Sequence, residues 1–105
     1  MLKNIKSVVI GSSVYKIDHT RDCIVTAGEE CYGAHDYEAR EIRITTDESI
    51  SIQQKEETLL HEIAHAINDD RDLELEEAHI RGISKGLYQA LRDNKNIFDS
   101  FTFGL

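Results

Sequence analysis

The chain contains no proline, no tract of biased composition and no internal repeat, so nothing in it reads as a rigid spacer, a linker or a boundary between units. Its 105 residues are expected to form one domain, 1–105, with one modest core. There are only two cysteines, too few for a disulfide framework and in keeping with a reducing, cytoplasmic setting. Basic residues are scarce: 12 Lys and Arg against 20 Asp and Glu give a formal net charge of −8. Such a surface argues against nucleic acid as a partner, because binding phosphate backbones needs clustered cations. No apolar run approaches the ~18 residues of a membrane span, so no membrane association is expected. After Lys3 and Lys6 only Ser7, Val8, Val9 and Ile10 precede Gly11, which is too short for the apolar region of a secretory signal. What is present, 40% hydrophobic and 30% charged residues, is the composition of a folded globular chain.

Hydrophobic periodicity divides the chain into a strand-forming and a helix-forming half. Val8 and Ile10, then Val14, Tyr15 and Ile17, flank Gly11-Ser12-Ser13 and predict a hairpin. Residues 22–30 are open between a strand and a helical turn around Cys23-Ile24-Val25. Residues 31–45 predict a second hairpin, with Tyr37, Ile42 and Ile44 as strand formers and Glu38-Ala39-Arg40 as the connection. The period then lengthens. Ser51 followed three residues later by Gln54 has the form of a capping box. Ile52, Leu59, Ile63, Ala66 and Ile67 continue it as a helical stripe ending near Asn68-Asp69-Asp70. A second helix is expected from about Leu75 to Asn94, with Ile80, Ile83, Leu87 and Leu91 on one face. Gly82 and Gly86 interrupt it, either simply tolerated at their propensity cost or placed for close approach to the first helix near Ala64 and Ala66. The remainder, 97–105, carries Phe98, Phe101 and Phe103 and reads as a docked extension or a partner-binding strip. Strands first and helices after give an α+β fold, a small antiparallel sheet of two hairpins followed by two packed helices.

The first helix contains His61-Glu62-Ile63-Ala64-His65, an H-E-x-x-H run. Positions i and i+4 of a helix lie on one face, one turn apart, so both imidazoles can meet one ion. Glu62 is then the expected catalytic base beside the water such an ion holds, and Zn²⁺ is the expected ion. Catalytic zinc usually takes a third protein ligand. A continuation H-x-x-G-x-x-H would require Gly at 68 and His at 71; the chain has Asn68 and Arg71, which excludes that class. A glutamate of the following helix is the remaining common source. Glu77 shares the face of Ile80, Ser84, Leu87 and Leu91 and is the choice, with Glu76 as the alternative and His79 pointing off that face. The neighbouring carboxylates, Glu74 among them, fit a helix start, which favours negative charge. The metal set is therefore His61, His65 and Glu77. Tyr88, eleven residues after Glu77, reads as a core or rim tyrosine rather than an oxyanion donor. Asn68 or Asp69 could orient a ligand imidazole, with nothing in the sequence to fix which.

The stretch TLLHEIAHAI followed by EAHIRGISKGLYQAL resembles small phage and prophage proteins of the ImmA/IrrE-like metallopeptidase group, over roughly residues 31–96. The resemblance implies a minimal zincin-like domain in which a strand pair precedes the H-E-x-x-H helix. It also implies a glutamate ligand in an E-x-x-aliphatic context on the next helix, which Glu77 to Ile80 matches. By the same resemblance the protein is a zinc metallopeptidase of phage or mobile-element origin, with a regulatory protein or peptide as substrate. The short gap between His65 and Glu77 and the glycines at 82 and 86 depart from the pattern. The alternative reading is a non-catalytic, zinc-stabilised protein-binding module. A second set of metal-capable residues, His19, Cys23, Cys31 and His35, is symmetric, but its cysteines are spaced more widely than in common structural zinc sites.

Overall fold

Gly11 sits at φ +61°, a conformation that costs glycine little, and there the chain reverses between β1 (Ser7–Ile10) and β2 (Ser13–Arg21). The ambiguous segment resolves as a separate small hairpin, β3 (Ile24–Thr26) with β4 (Glu29–Cys31). The second expected hairpin is β5 (Gly33–Asp36) with β6 (Glu41–Thr45). Two helices follow, α1 (Ile52–Arg71) and α2 (Glu77–Asp93), then a short α3 (Lys95–Asp99). This computed structural model describes residues 1–104; Leu105, the end of the Phe-rich tail, lies outside the described residues. Among them, no helix is long and apolar enough to cross a membrane.

The architecture is α+β, as the order of elements requires. The sheet is mixed rather than purely antiparallel. Its order is β1-β2-β6-β5, and β6 runs parallel to β2 with Ile17 opposite Ile42. The two hairpins are thereby joined edge to edge into one surface. The position of β6 fits its burial: Ile42, Ile44 and Thr45 are all buried and no residue of the strand is exposed, as suits a strand between two neighbours. The core forms where this sheet meets α1, from Ile10, Tyr15, Ile17, Ile42, Ile44, Leu59 and Ala66.

Ser51 caps α1 as expected, its hydroxyl accepting from the Gln54 N–H at 3.1 Å. The buried face of α1 is Thr58, Leu59, Glu62 and Ala66, while Ile52 and Ile67 at the ends of the expected stripe are exposed. Residues 72–76 then turn the chain back, with Asp72 and Glu74 in the left-handed region and the Asn68 side chain accepting from the Leu75 N–H at 2.9 Å. This brings α2 against α1, where Ile80 and Ser84 are buried. In the tail, Phe98, Phe101 and Phe103 stack edge-on in sequence, and the last two are exposed.

Glycines mark one close approach, though not the expected one. A Cβ at Gly33 would lie 2.6 Å from Thr58 Cγ2 and 2.9 Å from the Arg43 carbonyl, so β5 lies directly on α1. At Gly82 and Gly86 a Cβ would meet nothing within 4 Å. The close contact with α1 expected there is absent, because these two glycines lie off the face that carries Ile80 and Ser84. Gly33→Ala should therefore destabilise the fold by ~1–3 kcal/mol through overpacking. Gly82→Ala and Gly86→Ala should each stabilise it by ~0.8–1 kcal/mol through helix propensity. Denaturant midpoints at constant slope measure both, and the opposite signs make the comparison decisive.

Candidate metal centre

One turn of α1 separates His61 from His65, and the tight reversal at 72–76 returns the first residue of α2 beside them. The Glu77 carboxylate bridges the two rings: Oε1 lies 2.9 Å from His61 Nε2 and Oε2 lies 2.7 Å from His65 Nε2. The two Nε2 atoms are 3.2 Å apart. Donors arranged tetrahedrally at ~2.0–2.1 Å from a zinc ion stand about 3.3 Å from one another. The observed separations approach that value, so the three residues form a group that could hold a divalent ion with little movement. Glu76, the alternative, is the N-terminal flanking residue of α2 and is not in the group; Glu74 and His79 are also outside it.

The surroundings hold the rings in place. Ser84, buried two turns along α2 from Glu77, has its Oγ 3.4 Å from His61 Nδ1, so the outer nitrogen of that ring has a polar neighbour while Nε2 faces Glu77. Burial pushes the His65 pKa down, against the upward pull of Glu62 and Glu77. The ring is thus held toward the neutral form that a metal ligand requires. His35, on β5, stacks on His65 with ring centroids 4.9 Å apart and 12° between planes.

Glu62 is 7% exposed and lines the same cleft as His61 and Glu77. Its Oε1 lies 3.5 Å from His35 Nδ1, and on the other side of that ring Nε2 lies 3.0 Å from Asp69 Oδ2. Glu62 foremost, then Asp69, raise the His35 pKa, opposed by burial. His35 thus spans two carboxylates seven residues apart on α1 and ties the edge strand to the helix that carries His61 and His65. Asp69 does orient an imidazole, but that of His35 rather than of His61 or His65. Asn68 serves the interhelical turn instead. Tyr88 donates to Glu56 Oε1 at 2.8 Å and ties α2 to α1, as a rim tyrosine does.

The other metal-capable set is dispersed. His19 Nε2 lies 2.8 Å from the Ile5 carbonyl, His35 belongs to the network above, and Cys23 Sγ donates to Glu30 Oε1 at 3.1 Å. Cys31 faces the Ile24 carbonyl, and both thiols are free. Neither His35 nor Ser84 stood out in the sequence as part of the site. Ser84 was within reach, seven residues after Glu77 on one helical face. His35 was not, because only the approach of β5 to α1 at Gly33 gives it its neighbours.

His61 and Glu77 open onto a cleft of about 300 Å³ between β5, α1 and α2. A larger hollow of about 650 Å³ lies beyond Tyr32, against the β3–β4 hairpin, and is lined by acidic residues including Asp22, Glu30 and Asp47. Comparison with protein families, with curated proteins and with solved structures finds no match.

Zinc titration in a calorimeter should give one ion per chain. His61→Ala, His65→Ala and Glu77→Ala should each weaken it at least about tenfold, since each removes one of three ligands. The double variant Cys23→Ser, Cys31→Ser should leave the stoichiometry at one; a loss of zinc in that variant would place the ion elsewhere.

Proposed function

We propose that the protein is a zinc-dependent metallopeptidase, with His61, His65 and Glu77 holding the ion and Glu62 acting as the catalytic base. The observation that supports this reading best is the convergence of two α1 imidazoles and one α2 carboxylate beside a buried glutamate in an open cleft. The bound ion would supply Lewis acidity, making water more acidic and polarising a peptide carbonyl. Glu62 takes one proton from the attacking water as the new C–O bond forms. It delivers that proton to the amide nitrogen as the C–N bond breaks, so the products are a carboxylic acid and an amine. His35, held on its other side by Asp69, steadies the carboxylate of Glu62. Ser84 limits rotation of the His61 ring.

A structural zinc site is closed on all sides by protein ligands, whereas a catalytic one keeps a position free. Glu77 is 49% exposed at its side chain and the group has three donors, which favours the catalytic reading over the zinc-stabilised binding module. The resemblance to ImmA/IrrE-like metallopeptidases narrows the proposal to a regulatory protein or peptide substrate in the cytoplasm of a cell carrying a phage or mobile element.

Glu62→Gln tests the assignment. The variant should keep one zinc per chain and lose ~10²–10⁴ in hydrolytic rate, measured by mass spectrometry on a mixed peptide library. Cleavage at the wild-type rate would remove Glu62 from the role.

A further inference from the structure

Glu77, Arg81 and Lys85 recur every four residues along α2, so they share one face and span about 12 Å of helix. All three line the cleft that opens from the metal group, opposite Glu57 and Glu62 of α1. On a chain with net charge −8, two cations therefore stand on one wall of the candidate active site. The lining holds three carboxylates against these two cations, and a divalent ion at the triad turns the balance positive. Without Arg81 and Lys85 the loaded cleft would remain negative. The cations thus decide the sign of the field that a substrate meets.

They are not equally committed. Lys85 Nζ is paired with Glu57 Oε1 at 3.1 Å. Arg81 Nη2 stays 3.7 Å from Glu77 Oε1, beyond hydrogen-bonding distance, while the same carboxylate lies within 3 Å of both imidazoles. The Arg81 side chain is 56% exposed and keeps its planar fork of donors free for a bidentate partner. On the far side of the cleft the larger hollow is acidic and would repel an anion. The α2 wall is therefore the side of the cleft that would favour an anionic group.

We propose that Arg81 selects peptide substrates that carry a carboxylate next to the bond under attack, with Lys85 supporting the same field. The carboxylate belongs either to an Asp or Glu side chain or to the peptide's own C-terminus; both present the same group to the guanidinium. This inference rests on the metallopeptidase reading and names the substrate class of that site.

The experiment uses the zinc-loaded full chain and three succinyl-hydroxamate probes of matched size. One ends in alanine amide, one in aspartate amide and one in alanine with a free carboxylate. Calorimetry should show one acidic probe binding about tenfold more tightly than the neutral one, the increment of a charge-assisted bidentate contact. Arg81→Gln at saturating zinc should bring all three to within about twofold. A preference for aspartate amide assigns the carboxylate to a side chain, and a preference for the free acid assigns it to the C-terminus. Equal affinities in the wild type, or a preference that survives in Arg81→Gln, would overturn the proposal. Zinc uptake is titrated first in the same cell; its failure would sink the metallopeptidase reading and this inference with it.

Discussion

A single carboxylate at the start of α2 lies within 3 Å of two imidazoles one turn apart on α1, and much of the molecule serves that meeting. It needs α1 to be fixed in rotation about its own axis. The sheet does this by burying Leu59 and Ala66, and the strand–helix contact at Gly33 leaves β5 no slack. It also needs α2 to return at once, which the left-handed residues Asp72 and Glu74 and the Asn68 side chain arrange. Burial then keeps His65 toward its neutral form, so the pocket that positions the donors also prepares one of them chemically.

The α1 helix is asked to do two things that usually conflict. Its inner face must be apolar to support the core, yet Glu62 lies on that face and is almost wholly buried. A buried carboxylate is costly unless it is paired. His35 supplies the pairing from β5, and Asp69 supports the other side of the same ring. The position of an edge strand and the availability of the proposed base are therefore one problem with one solution.

Much of this was legible in the sequence because it is local. The i, i+4 spacing of His61 and His65, the Ser51 cap and the turn at Gly11 depend on residues a few positions apart, and periodicity and turn chemistry report on such distances. Glu77 could be chosen by helical phase because the connection before it is short. The parallel pairing of β2 with β6 could not be read, since Lys16 and Glu41 become neighbours across 25 positions with no local trace. His35 was hidden for the same reason and appeared instead in a symmetric but dispersed set with the cysteines. The glycines of α2 misled in the other direction: their propensity cost suggested an intramolecular contact, and the helix instead leaves them facing open space.

The burial along α2 is lopsided. Its two buried residues, Ile80 and Ser84, lie toward the start of the helix, and Gly86 follows directly after that half. Beyond it no residue of the helix is fully buried, and the Tyr88–Glu56 hydrogen bond ties that half to α1. The turn carrying Ile80 and Ser84 is thus the best anchored part of α2, and the distal turns have less buried surface to hold them. Fraying beyond Gly86 would leave the end that meets the imidazoles in register.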